Sequence, residues 1–153
     1  MPREIERRFL VTLDTFKENS HSFDITQIYL SIMDKIAVRV RIDGIRASLA
    51  IKSKVSERVN HEYEYSIPID EARSIILLDN FPIIRKTRYI VEYEGHTWVV
   101  DKFHDENEGL VVAEIELNTE NERFISPPWV GEEITADYRY LNTNLAITPF
   151  RKW

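Results

Sequence analysis

Charged residues of one sign recur two positions apart along this chain. Glu4 and Glu6, followed by Arg8, open the series in EIERRFL. Arg39 and Arg41, Lys52 and Lys54, Glu62 and Glu64, Lys86 and Arg88, and Glu114 and Glu116 continue it. On a strand, successive side chains point to opposite faces, so each pair shares a face with its charges roughly 7 Å apart. At that separation two like charges repel by roughly 0.6 kcal/mol in water and roughly 2.4 kcal/mol at an effective dielectric of about 20. A solvated sheet face explains any one pair well enough. It explains the whole series poorly, because surface sheets are better served by mixed signs. Carboxylate pairs suit a hard divalent cation such as Mg²⁺ or Mn²⁺. Arginine and lysine pairs suit phosphate oxygens. A metal-bound polyphosphate offers both partners at once.

The elements that must carry these pairs are strands. Alternation of polar with β-branched or aromatic residues predicts strands at 37–42, 61–69, 96–103 and 110–117, with looser matches at 26–32, 47–54 and 85–94. Asp43-Gly44 and Glu94-Gly95 supply hairpin turns. A helix is expected over 70–80, with Asp70 as N-cap, and a short second one over 118–125; the tail from Gly131 reads as irregular or partly helical. With the opening segment this makes about eight strands, which suits an α+β chain built on a closed antiparallel β-barrel with a few flanking helices. Charged faces turned inward would surround one channel, and the alternate apolar positions would pack outward against the helices and tail.

Bulk properties narrow the classes further. The 153 residues fit a single domain spanning 1–153. A net charge of −6 argues against an overall nucleic-acid footprint. The absence of cysteine removes disulfides, thiolate zinc sites and thiol catalysis. No apolar run approaches a membrane span and the N-terminus is not signal-like, so a cytoplasmic protein is expected. Monomer and homodimer both stay open. The histidines at 21, 61, 96 and 104 lack ligand spacing, the three tryptophans read as packing residues, and Arg139 and Arg151 read as solvated surface. Lys54 shares the parity of Lys52 but belongs nearer a barrel mouth.

EIERRFLV resembles the Glu-x-Glu-x-Lys signature of the CYTH superfamily, the triphosphate tunnel metalloenzymes. The resemblance continues in order through YLS, VRVRI, AIKSK, HEYEYSIP, KTRY, VVDKF, GLVVAEIEL, PPWVGEEIT and DYRYLNTNLA, nearly the whole chain, and is nearest the short bacterial members. It implies an eight-stranded tunnel that holds a triphosphate with Mg²⁺ or Mn²⁺. It implies metal binding by Glu4, Glu6, Glu114 and Glu116, with Asp101, Glu62 and Glu64 as a second acidic cluster ordering water or a second ion. Arg39, Arg41, Lys52, Lys86 and Arg88 would grip phosphates, and Tyr29 matches a tyrosine that pairs with the signature lysine to activate water.

Two positions depart from the family pattern. The signature lysine is Arg8, and a common glutamate two residues before Asp101 is Val99. Arginine cannot give up its proton near neutral pH, so Arg8 can bind phosphate or stabilise charge but cannot serve in a proton-accepting dyad. A metal-bound water, or Glu62 or Glu64 as base, would carry activation instead. The expected activity is metal-dependent hydrolysis of a triphosphate, with inorganic tripolyphosphate first. Same-fold rivals are adenylyl cyclase and nucleoside or thiamine triphosphatases. A non-catalytic polyphosphate-binding module and a plain structural β-domain are the rivals from other classes.

Overall fold

The computed structural model describes all 153 residues. Its strands are β1 (Arg3–Val11), β2 (His21–Ile32), β3 (Ile36–Asp43), β4 (Arg46–Lys54), β5 (Val59–Ile67), β6 (Ile83–Tyr93), β7 (His96–Phe103), β8 (Val111–Leu117) and β9 (Val130–Glu133). Helix α1 (Ile69–Ile76) separates β5 from β6, and α2 (Asn142–Ile147) follows β9. The sheet order is β5-β4-β3-β2-β6-β7-β8-β1-β9, and a further β5–β1 pairing closes the first eight strands into an antiparallel barrel.

Closure depends on β1 serving two neighbours along one edge. Residues 3–5 pair with β5, and residues 9–11 pair with β9. Gly131 lets β9 approach: a Cβ there would lie 2.6 Å from Thr12 Cγ2 and 3.1 Å from the Leu10 carbonyl oxygen. The hairpin at Glu94-Gly95 has positive φ at both turn residues, 45° and 79°, the mirror-image turn that matches strand twist.

Residues directly opposed in an antiparallel ladder share a face. Glu6 lies opposite Glu116 and Arg8 opposite Glu114. Arg88 opposes Asp101, Tyr29 opposes Arg39, and Lys52 opposes Glu62 while Ala50 opposes Glu64. One continuous inner face therefore carries the charged series. Beyond Tyr29 the register of β2 against β3 shifts, a bulge of the kind that re-aims side chains.

The outer face holds two apolar clusters. Ile5, Phe9, Val59, Trp98, Val100 and Ile115 pack with Phe16 and Trp129. Ile28, Val40 and Ala47 pack under α1 through Ala72. A third cluster departs from the expectation that apolar side chains and the tail pack on the outside. Ile84, Phe103 and Val112 sit on the inner face and pack with Tyr29, Ile134 and Leu145. The C-terminal segment thus fills part of one end of the barrel with an apolar plug.

The helices differ in detail from expectation. Helix α1 begins after Pro68 rather than with Asp70 as cap, and it stops at Ile76, leaving Leu77 and Leu78 exposed. Asp70 and Glu71 fall in its first turn, where the helix dipole favours acids. No helix forms over 118–125. Instead the Glu122 carboxylate accepts from the Asn118 backbone N–H at 2.7 Å and pairs with His96 Nε2 at 2.7 Å, while Phe124 docks edge-on against Trp98. Packing of one aromatic ring outweighs weak local helix preference there. No helix is long and apolar enough to cross a membrane.

Candidate active site in the barrel lumen

A cavity of about 170 Å³ occupies the lumen and opens beside the β2–β3 hairpin and the segment 138–143. Arg8, Tyr29, Arg39, Arg41, Lys52, Lys86 and Arg88 line it, as do Glu6 and Glu114. Lys54, the last residue of β4, lines it too, with Nζ 5.6 Å from the Tyr138 ring centroid beside the opening. Glu4, Glu62, Glu64, Glu116 and Asp101 lie outside this lining set, although all five share the inner face. Altogether eight lysine or arginine side chains line the cavity against three carboxylates. In a chain of net charge −6, that concentration of positive charge is local and deliberate.

Ion pairs hold most of these groups. Lys52 Nζ bridges Glu4 at 3.0 Å and Glu62 at 3.2 Å. Arg39 reaches Glu64 at 3.1 Å, and Arg8 reaches Glu6 at 3.0 Å. Asp101 receives both forks of Arg88 at 2.8 and 2.9 Å, and Lys86 at 2.8 Å. Its carboxylate is thereby committed to orienting two cations, which is a different set of partners from those of a metal ligand. Glu114 and Glu116 take part in none of the ion pairs, which leaves a carboxylate corner on β8 beside Glu6.

The charges perturb one another. Burial pushes Lys86 down to about 7 against the pull of Asp101, with Arg88 and Arg41 adding to the fall. Burial together with Arg39 and Arg88 lowers Arg41 to about 9. Burial and the nearby Arg8 lower Lys54 to about 8. Lys52 moves the other way: burial would lower it, but Glu6, Glu4 and Glu62 hold it above the ordinary lysine range. Glu114 is raised by burial and by Glu6. Glu116 is raised by burial and by Glu4, Glu6 and Glu62. A cation placed in that corner would relieve the repulsion.

Some guanidinium donors in the lumen are unpaired. Arg8 Nε, Arg8 Nη2 and Arg39 Nε are buried without a hydrogen-bond acceptor. An unpaired buried donor costs about 1–3 kcal/mol, and an anion with several oxygens is one partner whose chemistry suits all three. The donor chemistry of the acidic corner likewise fits a hard divalent ion, since every candidate ligand there is a carboxylate oxygen. No three carboxylates converge on a common point, because Glu4 and Glu6 are turned toward Lys52 and Arg8.

Among the lumen residues that escaped sequence reasoning are Gln27 and Asn142. Gln27 is fully buried and bonds Arg41, Tyr29 and Asn142. Asn142, the first residue of α2, accepts from Lys86 Nζ at 2.9 Å and so brings the C-terminal segment into the site. Gln27 does stand two places before Tyr29, on the same face, which is the one signal that could have found it.

The arrangement has relatives. The family model of the CYTH domain matches residues 2–146. This chain belongs to the CYTH domain family. A protein of Acetivibrio thermocellus named inorganic triphosphatase is 42% identical over 154 residues, covering 100% of this chain and 99% of its own length. One of the same name from Nitrosomonas europaea is 33% identical, covering 95% and 97%. The crystal structure of the inorganic triphosphatase NE1496 superposes with a TM-score of 0.71 at 32% identity, covering 96% of each chain. A protein from Pyrococcus horikoshii, 17% identical with a TM-score of 0.61, shares the fold over 77% of this chain.

Proposed function

We propose that this CYTH protein is a divalent-metal-dependent triphosphatase whose substrate is inorganic tripolyphosphate. The observation that carries the reading is the cationic cavity with its orphaned guanidinium donors. A polyphosphate supplies the oxygens those donors lack, and the two relatives named inorganic triphosphatase agree with it.

In this reading Arg39, Arg41, Lys52, Lys86 and Arg88 grip the phosphates, and Asp101 holds the last two in place. Arg8 donates its free N–H groups to phosphoryl oxygen. Glu6, Glu114 and Glu116, with Glu4, would hold Mg²⁺ or Mn²⁺. Such an ion supplies charge neutralisation and a more acidic water when bound. Water attacks a terminal phosphorus in line, the bridging P–O bond breaks, and orthophosphate and pyrophosphate leave. Positioning and electrostatic stabilisation account for most of the acceleration.

The pairing pattern adds a step of exchange. Lys52 and Arg39 now neutralise Glu62 and Glu64. When these cations turn to phosphate, the two glutamates are released toward the lumen, where either can take the proton of the attacking water.

Phosphate release from tripolyphosphate, ATP and thiamine triphosphate, each with Mg²⁺ and with Mn²⁺, tests the assignment. Tripolyphosphate turnover fastest and abolished by a chelator is expected. Faster turnover of ATP, formation of cyclic AMP, or binding without turnover would refute it.

A further inference from the structure

Gln27 is an uncharged residue at the centre of a charged lumen, 0% exposed, with both ends of its amide in use. Its Oε1 accepts from Arg41 Nε at 3.0 Å. Its Nε2 donates to the Tyr29 hydroxyl oxygen at 3.0 Å and to Asn142 Oδ1 at 3.2 Å. The directions are dictated by chemistry. Arg41 can only donate, so the amide oxygen must face it and the amide nitrogen must face Tyr29. The Gln27 amide nitrogen likewise fixes the Asn142 oxygen as its acceptor, and Lys86 donates to the same oxygen from the other side.

Donation therefore runs from Arg41 through Gln27 to two acceptors, the Asn142 oxygen, which Lys86 also meets, and the Tyr29 hydroxyl. A hydroxyl that accepts from Gln27 keeps its own hydrogen for something else. Tyr29 is 5% exposed and lines the cavity, and its hydroxyl makes no hydrogen bond other than that with Gln27. We propose that Gln27 is a positioning residue that turns the Tyr29 hydroxyl hydrogen into the lumen, so that Tyr29 meets the substrate as a hydrogen-bond donor to phosphoryl oxygen. The arrangement differs from a tyrosine–lysine pair that accepts a proton from water. Here Arg8, which also lines the cavity, offers only hydrogens, and the Tyr29 hydroxyl offers another, so both stabilise negative charge. Proton acceptance is left to carboxylates elsewhere.

The inference rests on the triphosphatase reading. Gln27→Glu separates the two functions of the amide: a carboxylate still accepts from Arg41, but it cannot donate to Tyr29, and it draws the tyrosine hydrogen backward. The experiment is a double-mutant cycle of Gln27→Glu and Tyr29→Phe, measuring kcat and KM for tripolyphosphate. Gln27→Glu should lower kcat about tenfold, with KM moving less than about threefold. In the Tyr29→Phe background the same change should cost less than about twofold in kcat, because there is no hydroxyl left to orient. Unchanged kcat in Gln27→Glu, or an undiminished loss in the Tyr29→Phe background, would overturn the proposal. If thermal melting shows Gln27→Glu unfolded, Gln27→Met takes its place under the same kcat criteria, with a rise in KM expected because Arg41 loses its acceptor. A wild-type protein that does not turn over tripolyphosphate would overturn the triphosphatase reading and this inference together.

Discussion

At the scale of single residues, Arg8 decides how the site differs from the family pattern. Arg8 is 3% exposed, and its guanidinium is paired with Glu6 and has two further nitrogens without acceptors. It adds binding capacity for an anion and withdraws a group able to accept a proton. Arg8→Lys should therefore raise kcat or shift the pH optimum for tripolyphosphate hydrolysis, and superimposable pH–rate profiles would contradict this. Lys54 makes a second prediction. Burial and Arg8 lower its ammonium to about 8, while Glu6 and Glu114 pull the other way and Lys52 adds to the fall. Its charge is present below that pH and lost above it, so KM for tripolyphosphate should rise as pH passes through about 8. Lys54→Arg should flatten that rise, and an equal rise in both proteins would assign it to another group. Arg8, Glu6 and Glu114 were legible before any fold was known because charge at alternate positions is a strong signal. Gln27 and Asn142 were not, since a neutral amide carries no charge pattern and its value depends entirely on what the fold sets beside it.

At the scale of elements, the barrel wall is held by pairs that span neighbouring strands. Asp101 on β7 ties Arg88 and Lys86 on β6, and all three side chains are withdrawn from water. Removing one member of a buried ionic group leaves uncompensated charge, at a cost of about 3–5 kcal/mol. Asp101→Asn should lower stability by that order in a denaturant titration, and a loss under about 1 kcal/mol would mean the triad is incidental. The sign with pH follows from the direction of the shift. Burial alone would raise the Asp101 carboxyl, but Lys86 and Arg88 hold it below the ordinary aspartate value of 3.8. Its stabilisation is therefore complete above that value and is lost as pH falls through the depressed one. Strands β3, β5, β7 and β8 followed their alternation closely, within two residues at each end. Strand β9 carried no such pattern, because its residues Gly131, Glu132 and Glu133 are small or polar and it pairs only with a corner of β1. The expected helix over 118–125 failed for the opposite reason: its local pattern was plausible, and docking of Phe124 overrode it.

At the scale of the whole molecule, an acidic protein surrounds a basic cavity. A net charge of −6 coexists with a lumen lined by eight lysine or arginine side chains, of which Arg8, Arg39, Arg41 and Lys86 are each held by a neighbouring acceptor. The plug of Ile84, Phe103, Val112, Ile134 and Leu145 excludes water from part of one end, which strengthens every electrostatic contact nearby. Inward placement of the charged series followed from its parity; the plug did not, because apolar residues on the inner face look the same in sequence as those on the outer one. The central claim is that this lumen is where the triphosphate binds. Calorimetric titration of tripolyphosphate into wild-type protein, Arg41→Ala and the surface control Arg73→Ala tests it most directly. One site per chain is expected, weakened by about tenfold to a hundredfold in Arg41→Ala, the loss of a hydrogen bond to a charged group. Arg73→Ala, altered on the exposed side of α1, should bind as the wild type does. Equal affinity in all three proteins, or equal weakening in both variants, would contradict the claim.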